Sequence, residues 1–192
     1  MTGPATTFAP VELPGGAVLR PLVITDAPAL HVAFLNNREH LRPFDPDRPD
    51  SFWTLEGQQN RLAEMLVSAE AGTSLPCGLF DGDQVLGAIT LQTIVRGPFC
   101  SASLGYWVDR NQVGRGLATT AVAALLPIAD EQVGLHRIEA SAMTSNLASQ
   151  RVLLKNGFER FGTASNYLHI AGRWGDSHLY QRILNDRPPT AS

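Results

Sequence analysis

A short turn with two glycines, between a strand-like run and a helical pattern, constrains this chain more than any other feature. Gly105 to Val108 is apolar and aromatic, as in a buried strand, whereas Asp109 to Gln112 are turn-forming residues. Apolar residues then recur at the spacing of one helical face, at Leu117, Ala121, Val122, Leu125, Leu126 and Ala129. Gly114 and Gly116 stand at the entrance of this helix, where missing side chains and unpaired N–H groups suit an anion. The turn therefore predicts a phosphate-binding site.

Three known phosphate-binding patterns can be compared with this turn. No P-loop sequence is present, and Gly114 to Thr119 lacks the third glycine of the dinucleotide fingerprint, which disfavours an ATP or NAD site. The pattern Gln/Arg-x-x-Gly-x-Gly/Ala after a strand is matched by Asn111 to Gly116 except at its first position. That pattern resembles the pyrophosphate loop of the GNAT N-acetyltransferases. A glycine-rich turn without a ligand remains the alternative interpretation.

Composition narrows the class of protein. With 192 residues, 44% hydrophobic and 17% charged, the chain is expected to form one folded domain. The net charge of −3, without a run of Lys or Arg, argues against nucleic acid as a partner. Cys77 and Cys100 have no second ligand at metal spacing, so we expect reduced core cysteines and no metal. Neither a secretion signal nor an apolar run of about 18 residues is found, so a cytoplasmic protein with no membrane partner is expected.

The order of predicted elements indicates the fold class. We expect a flexible N-terminal arm over residues 1–17, a single N-acetyltransferase domain over 18–184 and a polar tail over 185–192. Strands and helices alternate irregularly within the domain, which favours an α+β sheet over a doubly wound one. Residues 36–50 contain three prolines and are predicted to be a loop. A hairpin is expected around residues 81–83, a kink at Pro127, and three closing strands at 158–161, 167–171 and 177–183.

Three further stretches make the resemblance specific. Leu135 to Glu139, Asn146 to Ser149 and Leu154 to Phe158 are similar to the HR-E, N-x-x-S and K-x-G-F signature of the RimJ/RimL-type ribosomal-protein N-acetyltransferases. The stretch Tyr167 to Asp176 resembles the last hairpin of the same branch. The resemblance implies a GNAT fold with a mixed, mostly antiparallel sheet of six to seven strands flanked by helices. It also implies a V-shaped opening between the fourth and fifth strands, made by a bulge, in which acetyl-CoA is wedged.

The same resemblance assigns the cofactor site. The backbone of Tyr106, Trp107 and Val108 would pair with the pantetheine and polarise the thioester carbonyl. The pyrophosphate would be held by the following loop and helix start, namely Gln112, Val113, Gly114, Arg115, Gly116, Leu117, Ala118 and Thr119. Asn146 would bind the pantetheine from the other side, and Ser149 would stabilise or protonate the departing thiolate. A plain helix cap for Asn146 and a solvent-facing serine for Ser149 are the alternatives.

The general base is open between two residues on one face of a predicted strand. Glu139 and Ser141 both could face the incoming nitrogen, directly or through water. Glu139 is as well explained as a structural partner of Arg137 or of a neighbouring strand. A tyrosine acid of some relatives falls at Leu153, which removes that candidate. An α-amine with a pKa near 8 is about a tenth neutral at pH 7, whereas a lysine near 10.4 is below about a thousandth, so a weak base favours an α-amine.

The acceptor pocket is expected to include Arg42, Phe44, Trp107, Tyr167 and Trp174, with His169 nearby. Exposed loop charges and core aromatics are the ordinary interpretation of each. We expect an enzyme that transfers the acetyl group to a primary amine by direct attack in a ternary complex, most simply at a protein or peptide N terminus of the ribosomal-protein-alanine type. A small amine metabolite or antibiotic is the second candidate acceptor. A non-catalytic CoA-binding module is the third hypothesis. A monomer or a homodimer fits the sequence.

Overall fold

A single sheet runs through the protein, whose structure is a computed structural model describing residues 7–189. The sheet contains eight strands: β1 (Val11–Glu12), β2 (Val18–Pro21), β3 (Leu75–Asp81), β4 (Gln84–Val95), β5 (Ser101–Val108), β6 (Arg137–Met143), β7 (Glu159–Ile170) and β8 (Arg173–Ile183). Their spatial order is β1-β2-β3-β4-β5-β6-β8-β7. All neighbours pair antiparallel except β5 and β6, which are parallel. The predicted α+β architecture with a mostly antiparallel sheet is confirmed.

The sheet has eight strands where six to seven were expected, and β1 at one edge accounts for the excess. Val11 pairs with Leu19 and Glu12 with Val18. Leu13 and Ala17, in the same predicted arm, are buried in the core. At the other end of the chain, Asn185 of the predicted tail donates to the Leu135 carbonyl at 2.9 Å. Residues 1–6 and 190–192, which complete the predicted arm and tail, lie outside the described residues.

Four helices cover the two faces of the sheet: α1 (Ala27–Leu41), α2 (Leu55–Glu70), α3 (Leu117–Pro127) and α4 (Leu147–Lys155). Successive side chains of a strand point to opposite faces, which divides the core. Leu30 of α1 and Leu62 of α2 pack with Phe80 on one face. Val122 of α3 and Leu153 of α4 pack with Leu79 on the other. The site described below lies between these two layers.

Helix α1 corrects the prediction of a loop over residues 36–50. The helix continues to Leu41, so the first six residues of that stretch are helical. A proline disrupts a helix at its own N–H and at the carbonyl four residues earlier. Pro43 is the first proline of the stretch, so the residues before it can still be helical. The remaining residues form turns and a short 3-10 helix, Asp50–Trp53.

The closing strands correct a second prediction. Residues 158–161 and 167–171, expected as separate strands, belong mostly to the one strand β7. Its pairing with β8 shifts register between Arg160 and Gly162 and again between Ala164 and Leu168. Bulge residues have no partner across the ladder, so the alternation in the sequence breaks although the strand does not. The predicted hairpin β3–β4 is confirmed. At Pro127 α3 gives way to a π-helical turn, Ile128–Gln132, as the missing N–H predicts.

Candidate active site

The sheet splits between β5 and β6. Only Ser101, Ala102 and Ser103 of β5 pair with β6, opposite Arg137, Ile138 and Glu139. Beyond these pairs β5 continues to Val108 against β4 alone, and β6 continues to Met143 against β8 alone. Beyond the three pairs, β5 and β6 have facing free edges with no strand between them. This is the predicted V-shaped opening. It lies between the fifth and sixth strands instead of the fourth and fifth because β1 adds one strand to the count. A bulge in β4, between Gln92 and Val95, shifts the register of its pairing with β5.

The glycine turn lies where β5 ends. A 3-10 turn, Arg110–Gln112, follows the strand, and Gly114 and Gly116 adopt φ of +78° and +84°. A Cβ built on either glycine meets no atom within 4 Å, so each faces open space. Gly116 is the N-cap of α3 and provides no side-chain cap. The first N–H groups of α3 are therefore available to an anion, and the cradle fits a pyrophosphate.

The residues assigned to the pyrophosphate differ in how they can act. Val113, Gly114, Arg115 and Gly116 are exposed, and Gln112, Ala118 and Thr119 are half-buried. Leu117 is buried at 6% exposure, and its side chain anchors α3 in the core. Leu117 can therefore contribute only its backbone N–H.

A buried polar pair fixes the start of this loop. Asn37 of α1, fully buried, donates from Nδ2 to Asp109 Oδ2 at 2.7 Å and accepts from the Arg110 N–H at 2.8 Å. Asp109 Oδ1 accepts from the Asn111 N–H at 2.8 Å. Burial alone raises the pKa of Asp109, but the hydrogen bonds from Asn37 and Asn111 outweigh burial and lower that pKa. Asn37 thus ties α1 to the turn that follows β5.

Two hydroxyl groups meet across the opening. Tyr106 of β5 shares a face with Leu104, and its hydroxyl oxygen lies 2.9 Å from Ser149 Oγ in the first turn of α4. The same hydroxyl lies 3.2 Å from the Ser149 carbonyl oxygen, so its one proton can go to either acceptor. Burial raises the pKa of Tyr106 to about 12 despite the opposing hydrogen bond from Ser149. The phenol therefore stays protonated at neutral pH and can orient the Ser149 hydroxyl.

Asn146 caps α4, as the sequence predicted. Its Oδ1 accepts from the Ser149 N–H at 3.0 Å. An asparagine amide also has two N–H donors, and Nδ2 of Asn146 makes no hydrogen bond among the described residues. Both interpretations of Asn146 are therefore compatible: the oxygen caps the helix and the nitrogen can still donate to a ligand. Leu153, which replaces the tyrosine of some relatives, is fully buried in the core.

The two candidate bases lie at different depths of the opening. Glu139 belongs to the paired part of β6 and forms an ion pair with Arg137, with Oε1 2.6 Å from Nη2. Arg137 is also stacked on Phe99, 4.7 Å from the ring centroid. Ser141 lies in the open part of β6, paired only with Leu179 of β8, and is exposed. The alternative of a structural Arg137–Glu139 pair is thus present in the structure.

The residues proposed for the acceptor fall into separate groups. Trp107 packs on Phe34 of α1, with ring centroids 5.0 Å apart, beside the opening. Arg42 and Phe44 are exposed just beyond α1, and Arg42 forms an ion pair with Glu39 at 3.6 Å. Tyr167 and Trp174 are exposed at the β7–β8 end of the sheet, where Trp174 packs edge-on against His169 at 5.4 Å. Among the described residues no aromatic or ionic contact joins these groups.

Three polar features of the candidate site were not predicted from the sequence and emerge from side-chain contacts. They are the Tyr106 hydroxyl, the buried Asn37, and Asn156, whose Nδ2 donates to the Thr119 carbonyl at 3.2 Å and so joins α4 to the first turn of α3. A polar residue within the apolar stripe of α1 was an available signal, because a buried amide needs partners. Strand alternation could likewise have placed Tyr106 on the face of α4.

The split sheet and the anion cradle at the end of β5 fit a transferase whose donor carries a phosphate group. The family described as acetyltransferase (GNAT) domain matches residues 17–159. The chain therefore belongs to the GNAT acetyltransferases, and it is an acetyltransferase enzyme of the RimJ/RimL-like type.

Three relatives illustrate this membership. The probable N-acetyltransferase YjcK of Bacillus subtilis is 37% identical over 169 residues, covering 87% of this chain and 93% of that protein. The [ribosomal protein uS5]-alanine N-acetyltransferase of Escherichia coli is 34% identical over 166 residues, covering 85% and 86%. The structure of Mycobacterium smegmatis RimJ in complex with CoA-disulfide is 30% identical, with a TM-score of 0.85, covering 91% and 86%. Members of this family thus bind CoA.

Residues 7–189 contain neither a candidate membrane-spanning helix nor a candidate metal site. No helix in that range is long and apolar enough to cross a membrane. The same range contains no group of three or more His, Cys, Asp or Glu side chains that could hold a metal ion.

Proposed function

We propose that the protein transfers the acetyl group of acetyl-CoA to the α-amine at the N terminus of a protein or peptide. The observation that carries this acceptor class is the ion pair of Glu139 with Arg137 at 2.6 Å. Glu139 is the only carboxylate in β6, and its charge is already engaged. A site without a strong general base favours an acceptor that is already partly neutral. An α-amine is about a tenth neutral at pH 7, whereas a lysine side chain is below about a thousandth neutral.

The relatives support the same acceptor class. The Escherichia coli relative is named for an alanine on a ribosomal protein, and the chain is 34% identical to it over 85% of its own length. The exposed aromatic side chains of Phe44, Tyr167 and Trp174 also suit a polymer that approaches from solvent. We therefore rank a peptide N terminus above a small amine metabolite or antibiotic.

The donor is assigned to the opening and the glycine turn. Bound acetyl-CoA supplies an activated acyl group whose thioester carbonyl carbon is attacked directly by the amine. The N–H groups at the start of α3 hold its pyrophosphate, and exposed backbone of Tyr106, Trp107 and Val108 pairs with its pantetheine. Asn146 donates from Nδ2 to the pantetheine on the opposite side.

The reacting protons are assigned to the hydroxyl groups of the opening. The amine loses its proton to solvent, either through Ser141 or through water that Glu139 orients. The Ser149 hydroxyl donates a hydrogen bond toward the departing thiolate, which takes its proton from water. Tyr106 is a positioning residue, because a hydrogen bond from its hydroxyl to Ser149 Oγ, 2.9 Å away, leaves the Ser149 proton free to point toward the thiolate.

Mass spectrometry of peptides incubated with the protein and acetyl-CoA tests the acceptor class. Three peptides are compared: one with a free N-terminal alanine and no lysine, one N-terminally blocked with an internal lysine, and one blocked without lysine. We expect acetylation of the first alone, at the α-amine. Acetylation of lysine in preference to the α-amine, or turnover of small amines with no peptide modified, contradicts the proposal.

A further inference from the structure

One arginine of α2 has an unusual environment. Arg61 is half-buried and forms no ion pair with any carboxylate of residues 7–189. Its only side-chain hydrogen bond is a long one, from Nη1 to Gln58 Oε1 at 3.5 Å. A guanidinium has five N–H donors and stays charged. A partly desolvated cation with most donors unused indicates a site for an acceptor group that comes from outside the chain.

The aromatic surroundings of Arg61 leave its donor edges available. The guanidinium carbon lies 5.3 Å from the centroid of Phe34 and 5.6 Å from that of Phe52. These two rings meet edge to face at 5.0 Å. An arginine stacked on aromatic rings is held in place by them while its planar fork can bind a carboxylate in bidentate fashion.

The charges around Arg61 do not balance. Arg48 is stacked on the same Phe52 ring, at 4.8 Å, and binds Asp45 through two hydrogen bonds of 2.8 and 2.7 Å. Both oxygens of Asp45 are therefore engaged by Arg48. Burial lowers the pKa of Arg61, and the positive charge of Arg48 lowers it further, against the opposite effect of Asp45. Arg48 alone engages the Asp45 carboxylate, which leaves the Arg61 charge without an ion-pair partner among residues 7–189.

Arg61 lies within reach of the opening. The Trp107 ring beside the opening is 5.0 Å from the Phe34 ring, and the Phe34 ring is 5.3 Å from the Arg61 guanidinium carbon. These two distances set an upper limit on the separation between Trp107 and Arg61. An extended peptide advances about 3.3 Å per residue, so an acidic side chain within the first few residues of a peptide can reach Arg61 from the opening.

We propose that Arg61, with Arg48 beside it, forms an anion subsite that binds an acidic side chain within the first few residues of the peptide acceptor. The inference rests on the proposed function, since it places a carboxylate relative to an α-amine in the opening. A surface cavity lined by Arg38, Asp45, Asp47, Arg48 and Trp53 lies beside the Arg48 member of this group and gives the peptide access from solvent. The subsite selects acceptors by charge, and the donor site stays unaffected.

Paired peptides test the subsite. Each pair begins with alanine and carries glutamate or glutamine at the second, third or fourth position. We expect kcat/KM to be about tenfold higher or more for glutamate at one of these positions, because a charge-assisted bidentate contact forms in a partly desolvated site. Arg61→Gln is expected to reduce that ratio to within about twofold, and Arg61→Lys to keep part of it.

Matched controls separate this result from general effects. Lys155→Gln removes the same charge from the exposed end of α4 and is expected to keep the wild-type ratio. The thermal midpoint shift with acetyl-CoA should be equal in all variants, which shows that Arg61→Gln remains folded.

The outcomes distinguish this inference from the proposed function. Equal acetylation of glutamate and glutamine peptides overturns the subsite and leaves N-terminal acetylation standing, as does a ratio that survives in Arg61→Gln. If no peptide is acetylated, the proposed function fails, and calorimetric titration of the same peptides into the CoA-loaded protein decides on the subsite. Equal binding of both peptides, or no binding of either, then overturns it.

Discussion

The candidate donor site and the candidate acceptor region are constructed in different ways. The donor site consists mostly of backbone: the free edges of β5 and β6, two glycines at positive φ and the start of α3. The acceptor region consists of side chains at the end of α1 and on the β7–β8 hairpin, several of them exposed. The difference indicates that this fold keeps the chemistry of the donor constant while the acceptor contacts are free to change. Substitutions should therefore have large effects at the donor site and small ones in the acceptor region.

The largest effect is expected from Gly114→Asp. The new carboxylate projects into the open space of the cradle and repels the pyrophosphate, and aspartate tolerates positive φ better than most residues. We expect acetyl-CoA affinity to fall by about 100-fold or more, equivalent to about 2.7 kcal/mol, as measured by calorimetric titration. Gly82→Asp, in the β3–β4 turn at φ +54° and also facing open space, is the control and should bind normally. Normal binding by Gly114→Asp contradicts the assignment of the turn.

A second effect is expected where α1 supports the loop. Asn37→Ala leaves Asp109 and the Arg110 N–H without their buried partner, which costs about 1–3 kcal/mol for each unsatisfied group. We expect the free energy of unfolding in urea to fall by about 2–3 kcal/mol, with weaker acetyl-CoA binding. Asn36→Ala, next to it on the exposed side of α1, is the control and should change stability by less than about 0.5 kcal/mol. Equal stability of the two variants would show that the pair does not hold the loop.

The hydroxyl pair of the opening should affect turnover more than binding. Ser149→Ala is expected to lower kcat by about 10- to 100-fold and Tyr106→Phe by up to about tenfold, with little change in KM for acetyl-CoA. Ser145→Ala, an exposed serine before α4, should retain full activity. Steady-state kinetics with a saturating α-amine peptide measures all three. An unchanged kcat in Ser149→Ala excludes its role at the thiolate.

The same tyrosine gives a pH dependence of stability. Since the pKa of Tyr106 is raised to about 12 in the folded protein, its neutral form contributes fully below the ordinary tyrosine pKa of about 10, and the contribution is lost as pH rises toward 12. At pH 11 the loss is about 1 kcal/mol. Urea unfolding of the wild type and of Tyr106→Phe is compared from pH 8 to 11. The difference between their free energies of unfolding should become smaller as pH rises. A constant difference means that the phenol is not desolvated.

The smallest effect is expected in the acceptor region. Trp174 is 62% exposed, and its only aromatic contact among the described residues is with His169. Trp174→Ala should raise KM for a peptide acceptor by about three- to tenfold and leave acetyl-CoA affinity unchanged. Phe161→Ala, equally on the hairpin and half exposed, serves as the control. A loss above about 100-fold in Trp174→Ala would reverse the comparison between the two regions.

Local patterns and long-range contacts explain what the sequence could predict. The glycine turn, the cap Asn146 and the hairpin around residues 81–83 each depend on residues close together in the chain, and all were predicted. The Tyr106–Ser149 contact joins residues 43 apart and the Asn37–Asp109 contact joins residues 72 apart, so no local pattern contains them. The loop over residues 36–50 was predicted from its prolines, but α1 continues to Leu41, close to the first of them, Pro43. The bulges of β7 disrupted the alternation that would have joined its two halves.

The three residue pairs between β5 and β6 have a mechanical consequence. The chain up to Val108 builds one half-sheet and the chain from Arg137 builds the other, and within residues 7–189 this short seam is the only ladder that joins them. A ligand that pairs with both free edges adds contacts between the two half-sheets and holds them together. Amide hydrogen exchange along Ala140–Met143 should therefore slow when the gap is filled, and the two halves should then unfold as one cooperative unit.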